Sequence, residues 1–438
     1  MAIHRQWGIV VQLAGSTGGM QEVLVQLSEG EEQGQALAWH DLSSLPPLML
    51  QDRVLLNTTA VRLGLGTGGY HFVLAVWPAH ALDEFDAVMR VASMPGPGHV
   101  MKLRYTAVQR AVLAAEEADS PHHEALREAG SLEGMPVLIG ELHSMLPVAA
   151  AWLQHVQTVG SAEHERSRVT REGATCKDQL KADRAAGDEH AKKALPCHAE
   201  GLYKGAESSA LPLRLIYVMS DGGALPLGIS RHVARLRELG WLHGSVTFGH
   251  AYGGELEAVN KYTALLAARH ALGAELILAA MGPGMAGTGT VYGFSGMEAA
   301  ELINAVHALG GVPVLVPRIG FADARERHRG ISAHTLAVLG PAALARAVVP
   351  LPLLEGSEAL CMLQAQAAEA GLGLRHDVRW LKPPDMGDIE QALSAYGKPI
   401  TTMGRDLHEE PAFFQAVCTA VSLVVDRYLT RRARPRDE

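Results

Sequence analysis

Three polar side chains in this sequence are of the types that acid–base chemistry requires. Asp221, His250 and His143 each follow a short apolar segment closely. A carboxylate and an imidazole that lie close together can transfer a proton near neutral pH. Each also has a structural alternative, since Asp221 could cap a turn and His250 could bond to a backbone carbonyl. The sequence therefore predicts three candidate catalytic residues and leaves these alternatives open.

A glycine-rich stretch after the apolar run Leu276–Met281 is the second candidate feature. Backbone N–H groups in such a loop can surround an anion or another ligand. We expect ligand contacts from residues of this stretch, namely Gly282, Gly284, Gly287, Thr288 and Gly289. The stretch fits the G-x-G-x-x-G pattern of dinucleotide-binding proteins weakly, because the next helical pattern starts late and a second match at 64–69 precedes no helix. The alternative is that the glycines serve positive φ angles and close packing.

Four further side chains complete the predicted ligand site: Arg318, Arg104, Glu255 and His334. Arg318, together with Arg325, could clamp a carboxylate or a phosphate. The alternatives are that the charged run 323–328 is a solvated surface and that Glu255 complements the dipole of a predicted helix, Glu255–Leu272. The spacing of the acidic and histidine residues does not indicate a metal site, so we assign none. The sequence identifies no cofactor, which leaves the cofactor unknown.

The elements that would position these residues alternate between strand and helix. Short apolar segments recur along the chain and are separated by stretches with helical periodicity. This alternation predicts an α/β fold, with a mostly parallel sheet and flanking helices. Ligands of such sheets bind at the carboxyl ends of the strands. Because the candidate residues, and also Glu141, follow predicted strands, we expect them to converge at one edge of the sheet.

The pattern divides the chain into two parts. Residues 1–78 contain short, partly alternating apolar segments, which predict a small all-β, barrel-like subdomain that precedes the α/β domain of residues 99–438. Within the second part we expect a strand at Val100–Tyr105 and a helix at Thr106–Glu117. Residues 158–210 mix both charge signs with few large apolar side chains, which indicates a charged, mobile insertion.

Composition narrows the class of protein. Hydrophobic residues make up 48% and charged residues 19% of the chain, which is typical of a soluble globular protein. The net charge of −9 argues against nucleic acid as a partner. No apolar run reaches about 18 residues, so we expect no membrane partner. The cysteines are scattered, which favours a reducing cytoplasm: Cys176, Cys197, Cys361 and Cys418.

Several stretches of the chain also resemble a known family. They include MKLRYTAVQ, GELHSML, YVMSDGGALPL, TFGHAYGGELEAVNKYTALLAARH, AMGPGMAGTGTVYGF, RIGFADARERHRGISAHT and, near the N-terminus, GLGTGGYHFVLAVW. Together they resemble an uncharacterised bacterial family that is catalogued as a domain of unknown function. The resemblance implies a full-length, single-chain cytoplasmic protein, and it implies no reaction.

The function that we expect is an enzyme of unknown reaction. A small-molecule ligand, for which an anion is one candidate, would bind at the carboxyl edge of the sheet, where Asp221 and His250 would supply acid–base chemistry. The alternative is a non-catalytic regulatory protein that binds a metabolite or a nucleotide. The enzyme interpretation requires Asp221 and His250 to face each other in a pocket. A homo-oligomer is left open.

Overall fold

The N-terminal part of the chain is a closed barrel of five strands. The computed structural model describes residues 3–28, 34–64, 68–79, 98–106, 108–173 and 213–433. The barrel strands follow one another in the order β1-β2-β3-β5-β4 around the wall: β1 Arg5–Thr17, β2 Met20–Leu27, β3 Gln35–Asp41, β4 Arg53–Asn57 and β5 His71–Trp77. A short helix, α1 (Thr59–Arg62), connects β4 to β5. Val23, Val25 and Leu27 alternate inward along β2, as the period of two in a strand requires.

An eight-stranded parallel sheet forms the centre of the larger part. Its strands lie in the order β11-β10-β9-β12-β8-β13-β16-β17, and every pair is parallel. Their bounds are β8 Pro136–Gly140, β9 Leu215–Ser220, β10 Gly244–Phe248, β11 Leu256–Ala258, β12 Leu276–Met281, β13 Val312–Val316, β16 Val348–Pro352 and β17 Asp377–Leu381. Two antiparallel ribbons accompany the sheet: β6 Val100–Lys102 with β7 Arg110–Val112, and β14 Ile319–Gly320 with β15 Gly330–Ile331.

Helices cover both faces of this sheet. They are α2 His123–Arg127, α3 Met145–Gly173, α4 Arg231–Glu238, α5 Lys261–Leu266, α6 Glu298–Ala308, α7 Ala333–Ala337, α8 Ser357–Glu369, α9 Leu372–Arg375, α10 Met386–Ser394 and α11 Pro411–Ala433. Shorter 3₁₀ and π turns occupy Leu227–Ile229, Ala267–Ala271, Ser295–Met297, Glu326–His328 and Val338–Ala342. Two apolar cores form, one on each face, and this is why all six residues of β12 are buried. In the described ranges, no helix has both the length and the apolar character that crossing a membrane requires. The predicted fold class, an α/β sheet preceded by a small β-barrel, is confirmed.

Some predicted elements are wrong in detail. The helix expected at Thr106–Glu117 is absent; a turn and β7 replace it, because Leu103 and Tyr105 adopt positive φ angles of 50° and 65° that reverse the chain into a ribbon. The helix expected from Glu255 begins only at Lys261, where Asn260 accepts hydrogen bonds from the backbone N–H groups of Tyr262 and Thr263.

The start of the predicted insertion, residues 158–173, is helical. Helix α3 continues through residue 158 and ends at Gly173, because the polar residues after Gln157 extend the helix that the apolar residues before it begin. The rest of the insertion, residues 174–210, lies outside the described residues.

Polar contacts join the barrel to the larger part. The Asp41 carboxylate, at the end of β3, accepts hydrogen bonds from Arg110 Nη1 and from the Tyr252 hydroxyl, both at 2.8 Å. The Arg110 guanidinium lies 4.0 Å above the centre of the Tyr252 ring. Gly18 and Gly228 approach so closely that a Cβ atom on either would contact the backbone of the other. The barrel is therefore attached near the carboxyl end of β10.

Candidate functional site

The carboxyl ends of β9 and β10 form the first part of the predicted site, here called the β9–β10 corner (Asp221, His250, Glu298 and Lys102). Asp221 Oδ2 accepts a hydrogen bond from the backbone N–H of His250 at 2.9 Å. The imidazole Nδ1 of His250 accepts from the backbone N–H of Leu103 at 3.1 Å, so the ring proton lies on Nε2. Among the described residues, no hydrogen bond joins the Asp221 carboxylate to the His250 ring. The arrangement that the enzyme interpretation required is not formed, and both groups hold loops in place.

Two buried charges complete the β9–β10 corner. Glu298, the first residue of α6, accepts a hydrogen bond from the Ser220 hydroxyl, and burial, with Asp221 nearby, raises the pKa of Glu298 to about 6. Lys102 is fully buried, with its Nζ 3.3 Å from Glu257 Oε2 and 3.2 Å from the carbonyl oxygen of Ala258. Burial lowers the pKa of Lys102. The ion pair anchors the β6–β7 ribbon to the edge strand β11.

His143 is held in the packed interior. Its Nδ1 lies 3.1 Å from the Tyr217 hydroxyl, and its Nε2 lies 2.7 Å from the hydroxyl of Ser230, the residue that caps α4. Burial, and to a lesser extent His232, lowers the pKa of His143 to about 3. Both ring nitrogens are used and the ring is neutral, so the geometry favours a structural role.

The glycine stretch forms a hairpin that satisfies its own hydrogen bonds. The backbone N–H of Thr288 donates to Gly293 at 2.8 Å, and that of Ser295 donates to Ala286 at 2.9 Å. Gly284 and Gly289 have positive φ angles of 101° and 79°. The remaining predicted contacts are Gly282, where a Cβ atom would come within 2.6 Å of the Ala224 carbonyl oxygen, and Gly287, which pairs with Phe294 across the hairpin. Turn geometry accounts for Gly284 and Gly289 and close packing for Gly282, whereas Gly287 has neither a positive φ angle nor a crowded Cβ position.

Two predicted ligand residues lie away from any shared pocket. Arg104 is exposed in the turn between β6 and β7. Glu255 is exposed as well, and its backbone N–H bonds to Ser245, near the amino end of β10. Glu255 therefore lies away from the carboxyl edge, whereas Arg104 is an exposed residue of the turn that contacts His250 through Leu103.

A second cluster lies at the carboxyl ends of β8 and β13, here called the β8–β13 corner (Glu141, Arg318, Asp323, His334 and Arg405). Glu141 directly follows β8 and is fully buried. Among the described residues, no donor reaches either of its carboxylate oxygens in normal hydrogen-bond geometry. Burial raises its pKa to about 7, and the Thr335 hydroxyl and the Arg318 guanidinium offset this only in part. Glu141 is therefore a carboxyl group that can gain or lose a proton near neutral pH.

Arginines surround a single carboxylate beside Glu141. Asp323 Oδ2 lies 2.8 Å from Arg325 Nη2 and 3.4 Å from both Arg318 Nη2 and Arg405 Nη2. The hydrogen bonds and the charge of Arg325 hold the pKa of Asp323 well below its usual range. Glu410 holds the same loop in place. Its carboxylate accepts a hydrogen bond from the backbone N–H of Phe321 at 2.6 Å and lies 3.3 Å from Arg405 Nε.

Two neutral histidines line this corner. His328 Nε2 accepts from Arg327 Nε at 3.2 Å, so its proton lies on Nδ1, which donates to Ser332 at 2.8 Å. His334 stacks on Phe294 with ring centres 3.9 Å apart, and its buried Nδ1 has no hydrogen-bond partner. Burial, with Arg318 as the next cause, lowers the pKa of each histidine to about 4.

A small cleft opens beside Arg318, Asp323 and Arg405. It has room for about one water molecule. The turn Thr402–Arg405 forms part of its wall, and Met403 in that turn is 55% exposed with a φ of 49°, a left-handed angle that side chains other than glycine adopt at a cost of about 1 kcal/mol. Such strained residues are frequent at functional sites.

The sequence predicts some residues of this corner as site residues and does not predict the others. Arg318 and His334 were predicted, whereas Glu141 was noted only as a residue that follows a strand. Its position directly after five buried residues was a usable signal. Arg405 and Glu410 join Asp323 and Phe321 from more than 80 positions away in the chain, and no local pattern indicates that contact. Within the described ranges, no three His, Cys, Asp or Glu side chains are grouped as metal ligands would be.

Comparison with known proteins gives a family and no reaction. The family model described as "Protein of unknown function (DUF3866)" matches residues 35–175 and 193–421. The match covers the barrel strands β3, β4 and β5, but not β1 and β2, and it covers the whole parallel sheet with nearly all of its helices. No curated protein and no solved structure matches the chain.

Proposed function

Because this chain belongs to the DUF3866 family of unknown function, we propose its function from geometry alone: an enzyme that binds a small anionic molecule at the β8–β13 corner. Glu141 would be the proton-transferring group, and Arg318 would hold the anion. The carboxyl edge of the sheet, where ligands of parallel α/β folds bind, supports this location. The proposal moves the acid–base role from Asp221 and His250 to Glu141.

One observation carries this proposal: a fully buried carboxyl group to which no described residue donates in normal hydrogen-bond geometry. A buried polar group without a partner destabilises a fold by about 1–3 kcal/mol, so its presence needs a reason. A pKa of about 7 suits a general acid or base, because both protonation states are populated at neutral pH. The carboxyl groups of the β9–β10 corner are instead hydrogen-bonded to backbone or hydroxyl groups.

Arg318 supports the choice of an anion as ligand. Its side chain is 8% exposed and is near two acidic groups, Glu141 and Asp323. Burial of a guanidinium is costly unless an anion compensates it, and its planar donors match carboxylates and phosphates. A ligand larger than water needs the cleft to widen, and the strained turn Thr402–Arg405 is the wall that can move with least loss of packing, since Met403 is exposed.

A thermal-shift screen of carboxylated and phosphorylated metabolites tests the proposal. Ligands that stabilise the protein should be anionic, and Arg318→Gln should remove the stabilisation. Arg379→Gln is the matched control, because Arg379 pairs with Asp377 in β17, away from this corner. Glu141→Gln should keep binding and lose turnover of the ligand found. Ligands that stabilise Arg318→Gln as strongly as wild type would place the site elsewhere.

The non-catalytic alternative makes a different prediction for the same variants. A regulatory protein that only binds a metabolite or nucleotide would keep its ligand in Glu141→Gln and would convert no ligand in the wild type.

We place the protein in a reducing compartment, the cytoplasm. Support comes from the two described cysteines, Cys361 and Cys418, which are both free thiols.

A further inference from the structure

The carboxylate of Asp323 occupies the centre of an arginine cluster. Its Oδ2 atom is within 3.4 Å of three guanidinium groups, from Arg318, Arg325 and Arg405. A fourth guanidinium group, that of Arg327, donates a hydrogen bond to the His328 ring in the adjacent 3₁₀ turn. Three cations around one oxygen atom are more than a single negative charge neutralises.

The remaining acidic groups do not remove this excess. Glu410 pairs with Arg405 and adds one negative charge, so Asp323 and Glu410 together neutralise two of the three guanidinium charges. Glu141 contributes less than a full negative charge at neutral pH, since burial raises its pKa to about 7. The cluster therefore retains positive charge beside a cleft that Arg318, Asp323 and Arg405 all line.

The contact distances show that the cations are incompletely satisfied. Only Arg325 makes short contacts with Asp323, with its Nε 2.9 Å from Oδ1 and its Nη2 2.8 Å from Oδ2. Arg318 and Arg405 lie at 3.4 Å, which is long for a charge-assisted hydrogen bond. A planar carboxylate cannot offer each of three guanidiniums its own oxygen atom.

We propose that these arginines form a binding site for a tetrahedral, dianionic oxyanion of the phosphate-monoester class, and that Asp323 occupies this site until the ligand displaces it. This inference rests on the proposed function, because it specifies the anion that Arg318 binds. A phosphoryl group presents three oxygens and two charges, so Arg318, Arg325 and Arg405 could each bond to a separate oxygen. With the Asp323 side chain withdrawn, its volume adds to that of the adjoining cleft.

Withdrawal of Asp323 breaks one backbone contact of its loop, the hydrogen bond from the Arg325 N–H to Oδ1 at 3.0 Å. Its neighbours Ala322 and Ala324 are exposed, and Glu410 still holds the loop through the backbone N–H groups of Phe321 and Ala322. The internal carboxylate thus acts as a competitor whose removal should raise the affinity for an external anion.

The test measures binding of inorganic phosphate by titration calorimetry at pH 7.5, with acetate as the monoanionic probe. Asp323→Asn keeps an oxygen that can accept the Arg325 N–H and removes the charge. This variant should bind phosphate at least about tenfold more tightly than wild type, because the arginines no longer hold an internal anion. Acetate affinity should rise less. Asp323→Ser serves as a second variant should the first fail to fold.

Asp377→Asn is the matched control. Asp377 also binds two arginines, Arg379 and Arg427, but it is 38% exposed and lies at the amino end of β17. We expect wild-type phosphate affinity in this variant. Adding Arg405→Gln to Asp323→Asn should abolish the gain.

The outcomes separate this inference from the proposed function. An unchanged phosphate affinity in both Asp323 variants, with Arg318-dependent binding of other anions, would overturn the displacement and leave the proposed function standing. An equal gain for acetate, or a gain in Asp377→Asn, would overturn the assignment to a tetrahedral dianion. Absence of any anion binding in wild type and in both Asp323 variants would overturn both proposals.

Discussion

The β9–β10 corner and the β8–β13 corner lie at the same edge of one sheet and use their charged groups differently. In the β9–β10 corner, Asp221 bonds to a backbone N–H and Lys102 pairs with Glu257. In the β8–β13 corner, no described residue donates to Glu141 in normal hydrogen-bond geometry, and three arginines share Asp323. In the first corner, the protein itself supplies hydrogen-bond or ion-pair partners for these charged groups, and in the second corner it does not supply them fully.

This difference teaches that convergence at a sheet edge does not identify a functional residue. Parallel strands bring many polar groups to the same edge, and most of them hold the connecting loops. A group that the fold leaves without a partner, or with a partner of insufficient charge, is the better candidate. The four predictions below test whether the two corners differ in this way, from the largest expected effect to the smallest.

Arg318→Gln should lower the free energy of unfolding by about 3–5 kcal/mol at pH 8, because it removes the cation that stabilises the buried Glu141 carboxylate. Urea denaturation measures the loss. Arg325→Gln is the matched control, since Arg325 is 46% exposed and its loss should stay within about 1 kcal/mol. Equal losses in both variants would show that burial does not distinguish the β8–β13 corner.

Glu141→Gln should remove a pH dependence of stability. The native pKa of about 7 lies above the usual 4.5, so the wild-type fold favours the protonated form and loses stability as pH rises from about 4.5 through 7. The difference in unfolding free energy between variant and wild type should therefore shift in favour of the variant by about 3 kcal/mol between pH 4 and pH 8.

Urea denaturation across this pH range measures the shift. Glu128→Gln, which removes an exposed carboxylate, should show none. A flat difference for Glu141→Gln would contradict the environment assigned to Glu141.

Asp221→Ala should destabilise the protein by about 1.5–3 kcal/mol, the usual contribution of a hydrogen bond to a charged group. Asp221→Asn should lose less, because its amide oxygen can still accept from the His250 N–H. Denaturation measures both, and calorimetry should show wild-type anion affinity in both. A loss of anion binding in Asp221→Asn would return the β9–β10 corner to the functional site.

His250→Ala should have the smallest effect, about 1 kcal/mol, since it removes one neutral hydrogen bond from Leu103. His250→Gln can retain an acceptor and should recover part of the loss. Activity on a ligand found by the screen should persist in both variants. If activity disappears while the fold is intact, His250 is catalytic after all.

Sequence predicted the architecture better than the site for a physical reason. Strands such as Leu276–Met281 are apolar throughout, and burial on two faces leaves that mark in the sequence itself. The role of Asp221 depends on the atom that faces it, which is the backbone N–H of His250 in the turn after β10. The residue type of Asp221 does not encode this contact. The same holds for Arg405, whose partner Asp323 lies far away in the chain. Arg318 was predicted because it directly follows a strand that the pattern makes recognisable.

The position of β8 in the sheet also determines when the sheet can be completed during synthesis. β8 pairs with β12 and β13, which the ribosome makes more than a hundred residues later. Contacts across such long separations form slowly, because a long loop must close first. Glu141 therefore stays hydrated on the nascent chain until β13 and Arg318 have emerged. Burial of this carboxyl group is then a late step of folding, which occurs only once the Arg318 guanidinium is present beside it.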